Sequence, residues 1–72
     1  MTGYEWVAAF AERLGVDAPD DAVTAELLAL AGTAAHSSER TAAPIACYLV
    51  GLAGRSVAAA HEVARTIPGS KD

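Results

Sequence analysis

The first fourteen residues combine a helix-start signal with apolar residues at helical spacing. Thr2 and Glu5 form a capping-box pattern, in which the hydroxyl and the carboxylate each accept a hydrogen bond from a backbone N–H of the other residue. The apolar residues that follow recur along one face: Trp6, Val7, Phe10 and Leu14. Gly15 stands where a left-handed C-cap is expected. The pattern predicts a helix over about residues 3–14.

A second helical pattern follows an acidic turn. The segment from Val16 to Asp21 contains a proline and three aspartates, which suit a turn that leads into a helix N-terminus. Apolar residues then recur at about 100° per residue: Val23, Leu27, Leu30, Ala31 and Ala34. Gly32 costs about 1 kcal/mol relative to alanine in a helix but does not interrupt this face. We expect the second helix to begin near Asp20 and to end near Ser38.

The remaining chain is compatible with one long helix or with two shorter ones. Thr41 suits an N-cap, and Pro44 is tolerated in a first turn, where its missing N–H is not needed. Two apolar sets stay in phase, as in one continuous helix: Ile45, Leu49 and Leu52, then Ala60, Val63 and Ile67. Gly51, Gly54 and Ser56 favour a break between the sets. We expect a helix over about 43–54, a kink or tight turn, a helix over about 57–66, and a frayed tail over about 68–72.

These patterns predict a single all-α domain over residues 1–72, folded as a compact bundle of three to four helices. A chain of 72 residues has room for one core, and it buries only about 60% of its unfolded surface. Its stability margin is therefore thin, and we expect self-association or a partner to contribute to stability. The predicted core consists of bulky apolar residues from all the helices: Trp6, Phe10, Leu14, Val23, Leu27, Leu30, Ile45, Leu49, Leu52 and Val63.

Composition and charge exclude several classes of protein. Hydrophobic residues make up 53% of the chain and charged residues 19%, which is not the composition of a disordered chain. Much of the apolar content is alanine, which favours helices that approach closely but gain little from each contact, so an alanine face is a weak core and a good docking surface. The net charge of -4 and the scattered basic residues disfavour nucleic acid and anionic membrane surfaces as partners.

The same features indicate a soluble, cytoplasmic protein. Cys47 is the only cysteine, so the chain has neither a disulfide framework nor a cysteine-based zinc site. The N-terminus lacks the basic and apolar regions of a secretory signal. The apolar stretch over 42–60 contains Arg55 and two glycines, and its purely apolar part is too short to span a bilayer.

The segment His36–Pro44 is the candidate binding site. His36 and Arg40 are four residues apart near the end of the second helix, and Glu39 flanks them. Arg40 next to the helix start at Thr41 and Pro44 is a plausible seat for a phosphate or for a carboxylate of a partner. A purely structural interpretation stays open, in which Glu39 pairs with Arg40 or Arg55, His36 interacts with a helix C-terminus, and Thr41 is a cap.

No other group of residues predicts chemistry. His61 is isolated on the last helix, so we expect it at the surface or in packing, and we expect no metal site there. Cys47 is expected to pack as a small hydrophobe. Asp20 and Asp21 stand at a helix start, where the helix dipole accounts for them. Because no nucleophile has a base at a suitable spacing, we predict no catalytic residue, no cofactor and no enzymatic activity.

Residues 36–54, HSSERTAAPIACYLVGLAG, carry a resemblance to a known family. With Trp6 and the run 15–20, they resemble a small uncharacterised helical domain of bacterial proteins. That domain occurs alone or appended to nucleotidyltransferases that are similar to molybdenum-cofactor guanylyltransferase. Thr41 stands where the family pattern has proline, and the chain ends soon after Gly54. The resemblance implies a setting in molybdenum-cofactor maturation and supports His36, Glu39, Arg40 and Pro44 as the candidate site.

From the sequence we expect a non-catalytic accessory domain for protein–protein interaction. It would dock on a molybdenum-cofactor guanylyltransferase-like or related enzyme through the His36–Pro44 segment, with Arg40 binding an acidic group. Two alternatives remain. One is a small-ligand binder that holds a nucleotide or pterin phosphate at the junction of Arg40 and Thr41, and the other is a self-associating structural protein, a homo-oligomer held by its alanine faces.

Overall fold

Four helices make up the fold in the computed structural model, which describes residues 1–69. They are α1 (Gly3–Leu14), α2 (Asp21–Ser37), α3 (Ala42–Ala53) and α4 (Val57–Arg65). Residues 1–69 contain no strand. The all-α class and the bundle of three to four helices are therefore confirmed. Part of the predicted tail, residues 70–72, lies outside the described residues, and Pro68 and Gly69 form a turn.

Local hydrogen bonds fix both ends of α1 and the start of α2. Thr2 Oγ1 accepts from the Glu5 backbone N–H at 3.1 Å, and Glu5 Oε1 accepts from the Thr2 N–H at 2.7 Å, which completes the capping box. Gly15 adopts a left-handed conformation with φ of 78° at the end of α1. Asp20 Oδ1 accepts from the Val23 N–H at 2.8 Å and caps α2. Each of these ends lies within one or two residues of its predicted position.

The second half of the chain forms two helices, because Gly54 ends the first of them. Gly54 takes a left-handed conformation with φ of 71°, which an L side chain rarely adopts. Ser56 then starts α4, since its Oγ accepts from the Ala59 N–H at 3.1 Å. The expected break between residues 54 and 57 is therefore confirmed.

Helix α2 is the centre of the bundle, because both α3 and α4 pack against it. Among the four described helices, α1 has no comparably extensive contact. The half-buried residues of α3 and α4 are mostly small: Ala42, Ala43, Ala46, Cys47, Val50, Val57, Ala60 and Ala64. Small side chains let these helices lie close to α2 while burying little apolar area at each contact.

The predicted core is largely wrong, because most of its bulky residues lie at the surface. Two of the predicted core residues are not exposed. Leu30 is 2% exposed, and it is the largest fully buried side chain among the described residues. Leu27 is half-buried. The other predicted core residues are exposed: Trp6, Phe10, Leu14, Val23, Ile45, Leu49, Leu52 and Val63. The physical reason is the position of α1, which covers neither α3 nor α4. The outer apolar residues of α3 and α4 therefore have none of the four described helices against them.

Candidate functional site

The predicted segment His36–Pro44 forms the exposed turn between α2 and α3. His36 lies in the last turn of α2, Glu39 and Arg40 lie between the helices, and Pro44 lies in the first turn of α3. All five predicted site residues (His36, Glu39, Arg40, Thr41 and Pro44) are exposed. The structure therefore places them together on one accessible corner of the bundle.

The charged side chains of this turn form no ion pair within residues 1–69. Within residues 1–69 the ion pairs are His61 with Glu26 and Arg65 with Glu62, so Glu39 does not pair with Arg40 or Arg55 there. Thr41 starts α3 without a side-chain capping bond. Two parts of the structural interpretation of this segment therefore have no counterpart in the described residues.

The backbone at the start of α3 is already hydrogen-bonded. The Ala42 N–H donates to the Glu39 carbonyl at 2.9 Å, and the Ala43 N–H donates to the Arg40 carbonyl at 3.2 Å. Pro44 has no N–H to offer. An anion that binds these two N–H groups would compete with both turn bonds, so an anion at this turn would depend mainly on the Arg40 guanidinium. Phosphate binding stays a prediction, and a rise in melting temperature with millimolar GTP or pyrophosphate would test it.

An apolar cleft runs between α3 and α4, with Leu30 of α2 in its lining. It consists of two hollows of about 460 and 390 Å³ that share five lining residues: Leu30, Ala46, Leu49, Ala64 and Ile67. We call this feature the α3–α4 cleft. Glu39 and Thr41 line one end of it, and Arg55 lines the other. Two of the five predicted site residues, Glu39 and Thr41, thus form part of the polar rim of an apolar cleft that the sequence pattern did not predict, whereas His36, Arg40 and Pro44 do not line it.

A second apolar feature lies on α1. The rings of Trp6 and Phe10 stack with centroids 5.0 Å apart, and both side chains, with that of Leu14, remain about half exposed or more. We call these three residues the α1 stripe. A hollow of about 580 Å³ separates the start of α1, at Tyr4 and Val7, from α2.

The buried polar residues among residues 1–69, Thr33 and His61, lie elsewhere, in a hydrogen-bond network that joins α2 to α4. His61 is 3% exposed, and its Nδ1 lies 2.9 Å from Glu26 Oε1. Its Nε2 lies 2.8 Å from Oγ1 of Thr33, which is also 3% exposed. With a neutral imidazole, Nδ1–H donates to the carboxylate and the Thr33 hydroxyl donates to Nε2. Within residues 1–69, every buried side-chain nitrogen or oxygen has a hydrogen-bond partner.

The network has the order of groups used for nucleophilic catalysis: the Thr33 hydroxyl, the His61 imidazole and the Glu26 carboxylate. The surroundings of these groups nevertheless favour a structural role. The hydroxyl is buried in the middle of α2, where backbone N–H groups are used by the helix and cannot stabilise an oxyanion. No group of three or more His, Cys, Asp or Glu side chains in residues 1–69 is arranged for a metal ion. The network therefore ties α4 to α2.

Sequence reasoning missed this network because it left His61 open between the surface and packing and named no partner for it; the structure places it in packing. The inner face of α4 carries Val57, Ala60, His61 and Ala64, at the spacing i, i+3, i+4 and i+7. The three companions of His61 are small or apolar, and this was the signal that could have placed it inside. On α2, Glu26 and Thr33 flank Leu30 at the same helical spacing.

Two further features of the described residues bear on the expectations for Cys47 and for the apolar stretch over 42–60. Cys47 is a free, half-buried thiol on α3. None of the helices in residues 1–69 is long and apolar enough to cross a membrane.

Comparison with known proteins identifies a family. Neither the curated proteins nor the solved structures gave a match. A family model matches residues 2–70, which is nearly the whole chain. The chain therefore belongs to the family described as a domain of unknown function, DUF6457.

Proposed function

We propose that this domain is a non-catalytic interaction domain that docks on protein through its exposed apolar surface, next to the His36–Pro44 segment. One observation carries the proposal. The chain exposes 5442 Å², whereas a compact monomer of 7.3 kDa exposes about 4,200 Å². The excess of about 1,200 Å² exceeds the roughly 800 Å² that each partner contributes to a standard protein interface.

The chemistry of the exposed surface supports a protein as its occupant. Between Ala42 and Ala53, α3 has no charged residue, and Ile45, Leu49 and Leu52 are each more than half exposed. Interface cores are depleted of charge and rich in large apolar side chains. An exposed patch of this kind marks an interaction site more often than it serves a monomer.

The charged turn beside the cleft gives the surface a means of orienting a partner. Arg40 is exposed and makes no ion pair within residues 1–69. A guanidinium binds a carboxylate through two parallel hydrogen bonds, which fixes direction as well as position. In the proposal Arg40 receives an acidic group of the partner, and Glu39 and His36 flank it.

The setting that we propose is molybdenum-cofactor maturation, with a guanylyltransferase-like or related enzyme as the partner. Its support is the resemblance of residues 36–54 and the position of these residues at the cleft rim. The domain would act as an accessory to guanylyl transfer or to cofactor delivery, in the bacterial cytoplasm. It would contribute surface and orientation, and the enzyme would contribute the chemistry.

Isothermal titration calorimetry tests this proposal. It would measure the affinity of the purified domain for a purified molybdenum-cofactor guanylyltransferase. Arg40→Ala should weaken binding by about tenfold or more, because a hydrogen bond to a charged group contributes about 1.5–3 kcal/mol. Arg65→Ala, which changes an exposed arginine of α4 that does not line the cleft, is the matched control and should bind like the wild type. Equal affinities for all three proteins would remove Arg40 from the interface, and no binding at all would remove this enzyme as the partner.

A further inference from the structure

The described chain carries both a ridge and a groove that have no counterpart within it. The ridge is the α1 stripe of Trp6, Phe10 and Leu14, and the groove is the α3–α4 cleft. We propose that the α1 stripe of a second copy of this chain fills the cleft, and that the exchange is reciprocal in a two-fold symmetric dimer. This inference rests on the proposed function, because it names the occupant of the apolar part of the same docking surface.

The exposed area fits a dimer of this kind. An excess of about 1,200 Å² on each copy would give a total buried area of about 2,400 Å² if both copies covered it. Permanent homodimers bury about 2,000 Å² or more, and their interfaces resemble a domain core that has been cut in half. Six of the eight exposed members of the predicted core lie on the two surfaces that such an interface would bury: Trp6, Phe10 and Leu14 of the stripe, and Ile45, Leu49 and Val63 of the cleft.

The two surfaces match each other in length and charge. Both α1 and α3 contain 12 residues, so each is about 18 Å long. The cleft carries opposite charges at its two ends, Glu39 and Arg55, and α1 has Glu5 in its first turn and Arg13 in its last. A stripe oriented with Glu5 toward Arg55 would bring Arg13, beside Glu12, toward Glu39.

The connection between α1 and α2 makes a second copy a better occupant than the α1 of the same chain. Both of its ends are fixed by hydrogen bonds, since the Val16 N–H donates to the Ala11 carbonyl at 3.0 Å and Asp20 caps α2. Pro19 restricts the backbone between them. This connection leaves Tyr4 and Val7 facing the first half of α2. The aromatic stripe remains directed to solvent.

A reciprocal exchange leaves Arg40 free for the further partner of the proposed function. Arg40 does not line the cleft, and it is exposed at the rim beyond Glu39 and Thr41. The dimer would therefore present two copies of the charged turn, related by the two-fold axis. The apolar surface would serve self-association and the polar turn would serve recognition.

Complementation between two variants of the full chain tests the inference. Phe10→Asp disables the stripe and Leu49→Asp disables the cleft, and both side chains are about half exposed, so each variant should keep its helix content by circular dichroism. Leu28→Asp changes a 59% exposed leucine that lines the separate hollow between α1 and α2, outside the stripe and the cleft, and serves as the matched control. The mass of each protein would be measured by sedimentation equilibrium over a range of concentrations.

The inference predicts a dimer for the wild type and for Leu28→Asp. Phe10→Asp and Leu49→Asp should each raise the dimer Kd by about a thousandfold. The reason is that loss of one hot-spot side chain weakens a contact by about thirtyfold, and the two-fold symmetric dimer contains that contact twice. An equal mixture of the two variants should associate about thirtyfold more tightly than either variant alone and about thirtyfold less tightly than the wild type, since one intact stripe then meets one intact cleft while the other contact carries both aspartates. Only an occupant exchanged between copies gives this result.

Three outcomes would overturn the inference, and they separate its failure from that of the proposed function. A dimer that persists in either variant, or a mixture that stays monomeric, would show that α1 and the cleft do not meet. A wild type that is monomeric with Trp6 exposed to solvent would exclude the second copy and leave a different protein as the occupant. A monomer with Trp6 buried would show that the chain covers its own apolar surface, and the proposed function would fail as well.

Discussion

Replacement of His61 by alanine should strongly destabilise the fold, because the imidazole joins α2 to α4 through both of its nitrogens. Loss of the bond with the Thr33 hydroxyl costs about 1 kcal/mol, and loss of the bond to Glu26 costs about 1.5 kcal/mol. The second figure is the low end of the range for a charged acceptor, because the Glu26 side chain is 39% exposed. Removal of the buried ring leaves a cavity that adds about 1 kcal/mol. The expected loss is therefore about 3–4 kcal/mol.

This loss is large compared with the total stability of so small a domain. At about 0.05–0.15 kcal/mol per residue, a chain of 72 residues has a free energy of unfolding of about 4–11 kcal/mol. The melting temperature of His61→Ala should fall by about 12–30 °C, since each kcal/mol shifts it by about 4–8 °C. Thermal unfolding followed by circular dichroism, at one fixed protein concentration, measures this shift.

The other histidine of the chain provides the control. His36 is exposed, and His36→Ala should change the free energy of unfolding by no more than about 0.5 kcal/mol. Glu26→Gln retains an oxygen acceptor for Nδ1–H, so it should cost about 1 kcal/mol and not the full amount. A His61→Ala protein that melts within about 4 °C of the wild type would refute the structural role of the network.

Two further matched pairs test the helix boundaries by urea denaturation at constant m-value. Gly54→Ala should destabilise by about 1–2 kcal/mol, because alanine is strained at a φ of 71°. Gly51→Ala should stabilise by about 0.5–1 kcal/mol, because it lies within α3 and its Cβ would meet nothing within 4 Å. Asp20→Ala should cost about 1 kcal/mol through loss of the α2 cap. Thr41→Ala should change stability by less than about 0.5 kcal/mol, because its side chain makes no capping bond. Equal effects of the two glycine variants, or of Asp20→Ala and Thr41→Ala, would contradict the assigned boundaries.

The helix boundaries could be predicted because their signals act over three or four residues. The hydroxyl of Thr2 and the carboxylate of Glu5 recognise each other within one turn, and Asp20 caps the N–H of Val23 in the same way. Gly15 and Gly54 end helices because their own backbone adopts a positive φ. None of these features depends on tertiary packing, so the sequence pattern was sufficient.

The identity of the core could not be predicted in the same way, because it depends on which helix covers which face. The apolar spacing of Trp6, Phe10 and Leu14 identifies a face that needs burial but does not say what buries it. The prediction assumed a neighbouring helix of the same chain, and α1 covers neither α3 nor α4. On α4 the bulky Val63 was preferred over His61, although the small residues around His61 permit closer packing.

The candidate site was predicted only in part. The exposed turn with Arg40 and Glu39 was located from the spacing of its charges, and the structure places these residues on one corner. The apolar cleft beside it could not be located, because its walls come from α2, α3 and α4 and are separated by up to 38 residues in the chain, from Leu30 to Pro68. Only the packing of these helices brings the walls together.

The central claim is that the apolar surface of this domain is available for docking, and Trp6 gives the most direct measurement of it. Trp6 is the only tryptophan of the chain and is 56% exposed. Its fluorescence emission and its quenching by acrylamide would be followed while the domain is diluted. The account predicts a buried indole at high concentration that becomes exposed to water on dilution, while helix content is retained. An indole that stays buried at every concentration down to the monomer would contradict the claim, because the chain would then cover its own apolar surface.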